Sequence, residues 1–286
     1  MSFKSGFVTI VGNPNVGKST LFNKLLNEDL SIVTNKPQTS REKLLGVIND
    51  KNYQIILFDT PGYINPSYKL HEYMNSKIFS SFDGSDLVIY VTDVNEIKLN
   101  NKILSYIIKK NIPLYCIVNK FDLIKNDKKP YEEKFKLYNY KKFDIISCKS
   151  NEDIVRVKNN LIEFLPIHKP YYPIDYFTSS SKREISSEII RENIFLNYQQ
   201  EIPFSSFVNV YSFKKSKDII KIYAYIFVET ESQKKIIIGK KGMSIKKLGI
   251  SSRERLESFF NMKVFLDMTV KVRKWRNNIN FIKYNN

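Results

Sequence analysis

The octapeptide GNPNVGKS at residues 12–19 determines the fold expected for the N-terminal part of the chain. It fits the pattern G-x4-G-K-[ST] and lies between an apolar, strand-like run at residues 7–11 and a helix-like stretch with apolar residues four apart. In this setting the glycines let backbone N–H groups close around phosphates, and the helix directs its positive end at them. The motif predicts a phosphate-binding P-loop, whose expected contacts are Gly12, Asn13, Pro14, Asn15, Val16, Gly17, Lys18, Ser19 and Thr20.

Two side chains of this motif have specific expected roles. We expect Lys18 to reach the β- and γ-phosphates and to act in catalysis, and the Ser19 hydroxyl to ligate Mg²⁺. The alternative is an ordinary strand–helix turn. A chance match in a chain of this length has a probability on the order of one per cent, so the P-loop interpretation is preferred.

The order of apolar runs predicts two domains in the 286 residues. In the first, strand-like runs alternate with helix-like stretches, which predicts an α/β P-loop G domain with a mostly parallel, doubly wound sheet. The runs after the first lie at residues 55–58, 87–91, 114–118 and 144–146. Beyond a proline- and serine-marked connector, the order α-β-β-α-α-β predicts an α+β domain. The predicted boundaries are 1–168, a linker at 169–180, and 181–286.

The tetrapeptide DTPG at residues 59–62 ends the second apolar run. A carboxylate there can hold Mg²⁺ through water, and the glycine N–H can follow the γ-phosphate, which would make the loop a sensor. An isolated DTPG is only a turn, but its place after a P-loop favours the sensor. The expected contacts are Asp59, Thr60, Pro61 and Gly62, with Gly62 also assigned to catalysis.

Two further loops predict which base is bound. Asn119, Lys120 and Asp122 follow one predicted strand, and Ser147, Cys148 and Lys149 follow another. The Asp122 carboxylate can accept hydrogen bonds from guanine N1–H and the 2-amino group, whereas adenine would leave this charge unpaired. The second loop has no distinctive sequence, and only its position after a predicted strand supports a base-binding role. Together the loops predict GTP and GDP as ligands.

A polar stretch around Thr39 and Ser40 is the candidate switch segment. A hydroxyl there could complete the Mg²⁺ shell when the γ-phosphate is present, and a plain surface loop is the alternative. Both Thr39 and Ser40 are predicted nucleotide and metal ligands, and Ser40 is also assigned to catalysis. Tyr63 occupies the place where Ras-type enzymes carry a water-orienting glutamine, so we expect slow unassisted hydrolysis. Asn15 is a hypothetical potassium ligand.

The C-terminal part carries a second signal, the tetrapeptide GKKG at residues 239–242, flanked by lysines. GxxG loops of KH domains bring the backbone close to a nucleic-acid backbone, where lysines meet phosphates. A basic helical hairpin packed on the other domain is the alternative. Residues 236–238 and Leu248 are expected to be buried and to present the loop. The predicted RNA contacts are Ile238, Gly239, Lys240, Lys241, Gly242, Lys246 and Lys247.

The charge distribution supports a polyanionic partner for the C-terminal part. The chain has a formal net charge of +17; residues 1–180 carry 25 basic and 19 acidic side chains, and residues 181–286 carry 21 and 10. A composition bias toward lysine codons would not concentrate the excess in the shorter part. The two cysteines, Cys116 and Cys148, are expected to be buried thiols of a cytosolic protein, since the chain has neither a signal-like segment nor an apolar run long enough to span a bilayer.

These segments resemble, in order, those of the Era family, within the TrmE-Era-EngA-septin-type GTPases. The resemblance covers nearly the whole chain and includes KPQTSR at residues 36–41, YKLHEYM at 68–74, SEIIRE at 187–192 and IIIGKKG at 236–242. It implies a type II KH domain that binds the 3′ end of 16S ribosomal RNA, a role in 30S subunit assembly, and peripheral membrane association. Here Thr39-Ser40 stands where the family has paired threonines, and Tyr63 replaces a more usual aliphatic residue.

Three functions remain open from the sequence. The first is a monomeric switch that couples the GTP state to RNA affinity during small-subunit assembly. The second is an RNA-binding module in which GTP is a structural ligand. The third is a GTPase on an anionic membrane surface. Unequal RNA affinities in the GTP and GDP states would favour the first.

Overall fold

The computed structural model describes residues 2–34, 36, 39–96, 98–124, 127–278 and 280–282. Of the predicted switch stretch, Pro37 and Gln38 lie outside the described residues. The chain forms two compact units. The first comprises residues 1–31, 40–65 and 74–179, and the second comprises residues 32–39, 66–73 and 180–286. The second unit therefore includes two short segments that the predicted boundaries assigned to the first domain.

Six strands form the sheet of the first unit: β1 (Lys4–Gly12), β2 (Leu44–Asn49), β3 (Tyr53–Asp59), β4 (Leu87–Asp93), β5 (Leu114–Asn119) and β6 (Lys142–Ile145). Their spatial order is β2-β3-β1-β4-β5-β6. All neighbouring pairs are parallel except β2 and β3, which are antiparallel. This arrangement confirms the predicted mostly parallel α/β sheet. The edge strand β2 was not predicted.

The helices between these strands are α1 (Lys18–Leu26), α2 (Lys69–Ser80), α3 (Asn101–Lys109), α4 (Lys129–Phe135) and α5 (Asn151–Phe164). Two of them begin at residues whose side chains cap the helix. The Asn100 side chain accepts from the N–H groups at the start of α3, and Ser150 accepts from the Asp153 N–H in α5. The central strands β4 and β5 are buried throughout, as expected for a sheet covered on both faces.

The connector predicted at residues 169–180 is packed against the first unit. The Gln54 side-chain oxygen accepts hydrogen bonds from the N–H groups of Tyr171 and Tyr172, at 2.8 and 3.0 Å. Farther along, the Thr178 hydroxyl donates to the Leu45 carbonyl at 2.6 Å. The Val47 N–H donates to the Phe177 carbonyl at 2.8 Å, so this part of the connector runs along the exposed edge of β2.

The second unit contains α6 (Lys182–Asn197), α7 (Ile202–Ser205), β7 (Phe207–Lys215), β8 (Ile219–Val228), α8 (Glu231–Ile238), α9 (Met243–Phe260) and β9 (Lys263–Val272). Apart from the one-turn helix α7, this is the predicted order. The sheet order is β7-β8-β9; β7 is antiparallel to β8, and β8 is parallel to β9. One face of the sheet, which includes the buried Ile222, Ala224 and Ile226, packs against helices.

Both cysteines are free and buried, as predicted, and burial raises the pKa of each thiol to about 12. Within the described ranges, none of the helices has the length and apolar character needed to cross a bilayer.

Candidate functional site

Residues 13–17 form the loop between β1 and α1. Glycine is required just before this loop and at its last position. Gly12 and Gly17 have φ values of +149° and +96°. A Cβ at Gly12 would lie 2.0 Å from the Val91 carbonyl oxygen, and one at Gly17 would lie 2.2 Å from the Asn119 side-chain nitrogen. The backbone can therefore close into a cradle only without side chains at these positions. Asn15, inside the loop, also has a positive φ of 64°.

Lys18 packs against this loop and is almost completely buried. Its ammonium donates to the Asn13 carbonyl at 2.6 Å, and only 6% of the residue is exposed. Burial lowers the pKa of Lys18 to about 8, against the weaker raising effect of the Asp59 charge. A phosphate beside this amine would raise its pKa again, because it adds negative charge next to the ammonium.

A cluster of oxygen atoms forms around Asp59, which is fully buried. Its Oδ2 accepts hydrogen bonds from Ser19 and Ser31, both at 2.7 Å, and the Ser40 hydroxyl lies 3.0 Å from that of Ser19. Its Oδ1 is buried with no hydrogen-bond partner among the described residues. Burial raises the pKa of Asp59. A carboxylate and neighbouring hydroxyls are the hard oxygen ligands that Mg²⁺ prefers, so the residues present fit this ion.

Thr39 has a different environment from Ser40. Its hydroxyl donates to the Lys36 carbonyl at 2.8 Å and lies 3.4 Å from the Thr34 hydroxyl. Both of these contacts are within its own segment, whereas Ser40 lies beside Ser19. The structure therefore brings one of the two predicted switch hydroxyls to the Asp59 cluster.

The sensor tetrapeptide contacts the P-loop directly. A Cβ at Gly62 would lie 2.7 Å from the Cα of Pro14, so the sensor glycine packs against the loop backbone. The Thr60 hydroxyl donates to the Ile10 carbonyl at 2.7 Å, which gives this residue a structural role at the end of β3. Tyr63 is buried in a hydrophobic cluster and packs edge-on against Phe79. Its ring is therefore part of the core.

The two loops predicted to bind the base are joined to the P-loop by Asn119. Its side-chain nitrogen donates to the Val16 carbonyl at 2.9 Å, and its oxygen accepts from the Cys148 N–H at 3.1 Å. The Lys120 ammonium donates to the Asn15 carbonyl and, at 2.8 Å, to Asp93. Cys148 thus contributes its backbone to the site, while its side chain is buried.

Asp122, the residue predicted to recognise the base, is exposed. Its two oxygens accept from the Lys149 ammonium and the Ser147 hydroxyl, each at 2.7 Å. The Lys149 hydrogen bond lowers the pKa of Asp122, so the group is a carboxylate throughout the neutral range. The Ser147 N–H donates to Asp153 at 2.8 Å.

Two residues of this site, Ser31 and Asp153, were missed in the sequence. Ser31 lies 28 residues from Asp59 in a stretch without a motif. Asp153 is in the first turn of α5, where an acidic residue is ordinary. No pattern in the sequence separated either of them from its neighbours.

The lysine-rich loop begins at Gly239, whose φ is +72°. A Cβ there would lie 2.1 Å from the Ser244 hydroxyl oxygen, so this position requires glycine. Gly242 also has a positive φ, of 76°, but open space around it. The loop and the start of α9 expose four lysines, which are Lys240, Lys241, Lys246 and Lys247.

The apolar residues around this loop differ from the prediction at one position. Ile237 and Leu248 are fully buried and Ile238 is half-buried, but Ile236 is 49% exposed. The prediction that residues 236–238 are all core was therefore wrong at Ile236. A single turn of helix cannot bury three consecutive side chains against one sheet face.

The fold and these loops define a guanine-nucleotide-binding P-loop protein. Family models described as "50S ribosome-binding GTPase" and "KH domain" match residues 7–120 and 201–276. "GTPase Era" of Thermoanaerobacter sp. (strain X514) is 39% identical over 292 residues, covering 99% of this chain and 96% of that protein. The chain belongs to the Era family of GTPases.

Further relatives match nearly the whole of this chain. "GTPase ERA1, chloroplastic" of Zea mays is 41% identical over 295 residues, covering 98% of this chain and 70% of that protein. The crystal structure of Aquifex aeolicus Era Y63A bound to GDP and AlF4⁻ is 32% identical, with a TM-score of 0.92 and coverage of 99% of both chains. A structure of Era in complex with MgGDPNP and nucleotides 1506–1542 of 16S ribosomal RNA is also 32% identical, with a TM-score of 0.93 and coverage of 99% and 98%.

Proposed function

We propose that this GTPase binds the 3′ end of 16S ribosomal RNA and assists assembly of the 30S subunit. The observation that carries the proposal is the glycine-bounded loop at residues 239–242, which exposes Lys240 and Lys241 between two helices. The relative solved with a 16S ribosomal RNA segment supports it, because that protein matches this chain over nearly its whole length.

The phosphate end of the nucleotide site supplies charge and position. The loop backbone and Lys18 would hold the phosphates, and Ser19, Ser40 and Asp59 are the residues that would hold Mg²⁺. The ion would supply positive charge to the phosphate oxygens. The Gly62 N–H lies in the segment that packs on the P-loop, where it can follow the γ-phosphate.

Unassisted hydrolysis is proposed to be slow. Attack on the γ-phosphate needs an oriented water, and Tyr63, which follows the sensor, is buried in the core. We expect turnover on the order of 10⁻⁴–10⁻² s⁻¹, near the scale of Ras without its activator. Turnover of tens of GTP molecules per second by the isolated protein would contradict this. The potassium site at Asn15 stays a hypothesis, which equal rates in sodium and potassium buffers would exclude.

Guanine recognition is proposed to rest on an exchange of hydrogen bonds at Asp122. In the structure its oxygens accept from Ser147 and Lys149. Guanine offers two donors, N1–H and the 2-amino group, to the same carboxylate. Adenine lacks this pair of donors, so its binding would bury the charge without replacement partners.

A contact within the second unit supports coupling between the nucleotide state and RNA affinity. Segment 32–39, which contains Thr39, belongs to this unit. The Lys36 ammonium donates to the carbonyls of Phe195 and Tyr198, at the C-terminal end of α6 where a cation is favoured. A change in this segment on hydrolysis would therefore reach α6, which packs against β7 and α9.

The proposal is tested by fluorescence anisotropy with labelled RNA carrying the 16S 3′ sequence, in the presence of a non-hydrolysable GTP analogue or GDP. We expect unequal affinities in the two states. We also expect the pair Lys240→Glu and Lys241→Glu to weaken RNA binding and lower its salt dependence while GDP affinity is unchanged. The pair Lys109→Glu and Lys134→Glu, exposed on α3 and α4, is the charge-matched control.

Equal RNA affinities in the two states would favour an RNA-binding module with GTP as a structural ligand. Peripheral membrane contact, a monomeric state and a cytoplasmic location are further parts of the proposal. The net charge of +17 is compatible with an anionic surface as well as with RNA. Co-sedimentation with anionic vesicles at physiological salt tests the membrane contact.

A further inference from the structure

One face of the three-stranded sheet packs against helices, and the opposite face, which we call the open sheet face, carries an exposed aromatic cluster. Residues paired across the strands point to the same face, and β7, β8 and β9 place four aromatic rings there: Tyr211, Tyr223, Tyr225 and Phe265. Tyr211 and Phe265 are 43% and 45% exposed, and the other two are half-buried.

The rings form a continuous platform. Tyr211 stacks on Tyr225 with centroids 4.3 Å apart and an interplanar angle of 18°, and it lies 6.2 Å from Tyr223. Phe265 lies 5.8 Å from Tyr223. Tyr211 lies at the irregularity in pairing between β7 and β8, where it has no directly opposed residue. Tyr211 is nonetheless one of the two exposed rings of the platform.

The platform is surrounded by positive charge. Lysines on the same face of the strands are Lys214, Lys221, Lys263 and Lys271, all of them exposed. The Lys271 ammonium lies 3.3 Å from the centroid of the Tyr225 ring. Asp267 is the one acidic residue in the three strands, every residue of which the structure describes. The face therefore has a net positive charge. None of the residues named on it belongs to the loop at residues 239–242.

The other end of this face is covered by the chain itself. Phe281 packs against Phe207 and Phe227, with centroids 5.4 and 5.0 Å away, and Arg273 lies over its ring. This coverage buries Phe207 and Phe227. Cross-strand packing explains the presence of an aromatic residue at Tyr225, which contacts neighbouring rings. It does not explain why Tyr211 and Phe265 are exposed among lysines.

We propose that the open sheet face is a second RNA-binding surface, on which single-stranded bases stack while lysines contact the phosphates. Exposed aromatic rings set among lysines are the chemistry that binds single strands with little sequence preference. Charge complementarity favours RNA over an apolar protein partner. The inference rests on the proposed RNA-binding function, because the loop at residues 239–242 would hold one part of the strand and this face another.

RNA length separates the two surfaces. A KH loop clamps four nucleotides, so an RNA of about 8 nucleotides should occupy the loop alone and one of about 24 nucleotides should reach both surfaces. We expect Tyr211→Ser with Phe265→Ser to weaken binding of the long RNA by about tenfold and that of the short RNA less than twofold. The variant Lys240→Glu with Lys241→Glu should weaken both, and Lys109→Glu with Lys134→Glu should weaken neither.

A direct measurement on the unaltered protein accompanies the variants. Ultraviolet crosslinking to the long RNA, followed by peptide mapping, should label peptides containing Tyr211 or Phe265. The inference is overturned if the long RNA labels only peptides of the loop, or if the folded aromatic variant binds long RNA like the unaltered protein. Failure of the short RNA to bind at all would contradict the proposed function instead. Loss of binding to anionic vesicles with unchanged RNA affinity would assign the face to lipid.

Discussion

The substitution Asn119→Ala tests whether one buried side chain holds the nucleotide site together. Asn119 is 2% exposed, and its amide joins the Val16 carbonyl to the Cys148 N–H. Alanine would leave both backbone groups buried without these partners. Because each unsatisfied group costs about 1–3 kcal/mol, the nucleotide-free protein should lose about 2–6 kcal/mol of unfolding free energy.

The same substitution should weaken nucleotide binding. The Asn119 amide fixes the P-loop against the predicted base-binding loop. Without it, nucleotide binding would have to order both segments. Loss of about 1.4 kcal/mol of this preorganisation lowers GDP affinity about tenfold. The assay is urea unfolding of the nucleotide-free protein followed by circular dichroism, with calorimetric titration of GDP. Trp275, the single tryptophan, lies in the second unit, so its fluorescence follows that unit separately.

The control is Asn159→Ala, an exposed asparagine on α5. It removes the same atoms, and its effect on unfolding should stay within about 0.5 kcal/mol. The reasoning is refuted if Asn119→Ala and Asn159→Ala have equal unfolding free energies and equal GDP affinities. A loss confined to the tryptophan signal would also contradict it, since Asn119 belongs to the first unit.

Three further predictions follow from the same geometry. Burial lowers the pKa of Lys18 to about 8, so GDP binding should take up more protons at pH 8 than at pH 6.5. Calorimetry in buffers of different ionisation enthalpy at the two pH values measures this, and equal proton uptake at both would contradict it. Asp122→Asn should weaken GDP binding and strengthen binding of xanthosine diphosphate, whose 2-oxo group accepts from the new amide, as competition titration would show; Lys149→Ala, which keeps the carboxylate, should retain the guanine preference. Gly239→Ala should reduce RNA affinity more than Gly242→Ala, because a Cβ meets the Ser244 hydroxyl oxygen at 2.1 Å in the first case and open space in the second; equal losses would mean that positive φ alone matters.

Local patterns in the sequence were sufficient for most of the fold. Five strands of the first unit were predicted because each contains a short apolar run, the pattern of strands in a parallel sheet. The edge strand β2 was not predicted, although residues 44–48 are a short apolar run that follows the polar switch stretch. The α-β-β-α-α-β order of the second unit was visible because helical and alternating periods differ clearly.

Contacts between distant residues could not be predicted in this way. The packing of the connector depends on Gln54, more than 100 residues earlier, whose carboxamide binds the Tyr171 and Tyr172 N–H groups. Ser31 contacts Asp59 only in the tertiary structure, because the two are 28 residues apart along the chain. Successive side chains of a helix point in different directions. Ile237 is therefore buried while its neighbour Ile236 is exposed. Each case requires the tertiary arrangement, which no local pattern contains.

The charges at the two ends of the nucleotide site are arranged differently, and this difference assigns them different roles. At the phosphate end, burial lowers the pKa of Lys18 and raises that of Asp59, so both charged forms are disfavoured without a ligand. A magnesium nucleotide would supply both missing countercharges. At the predicted base end, Asp122 already has two partners and a lowered pKa, so guanine would replace bonds that exist.

Affinity should therefore come mainly from the phosphates, and discrimination mainly from the base. This distinction has a measurable consequence. Removing the phosphates, as in guanosine, should abolish most of the binding free energy, whereas exchanging guanine for xanthine on the diphosphate should remove a smaller part of it. If guanosine bound nearly as tightly as GDP, the buried lysine and carboxylate would not be the source of affinity.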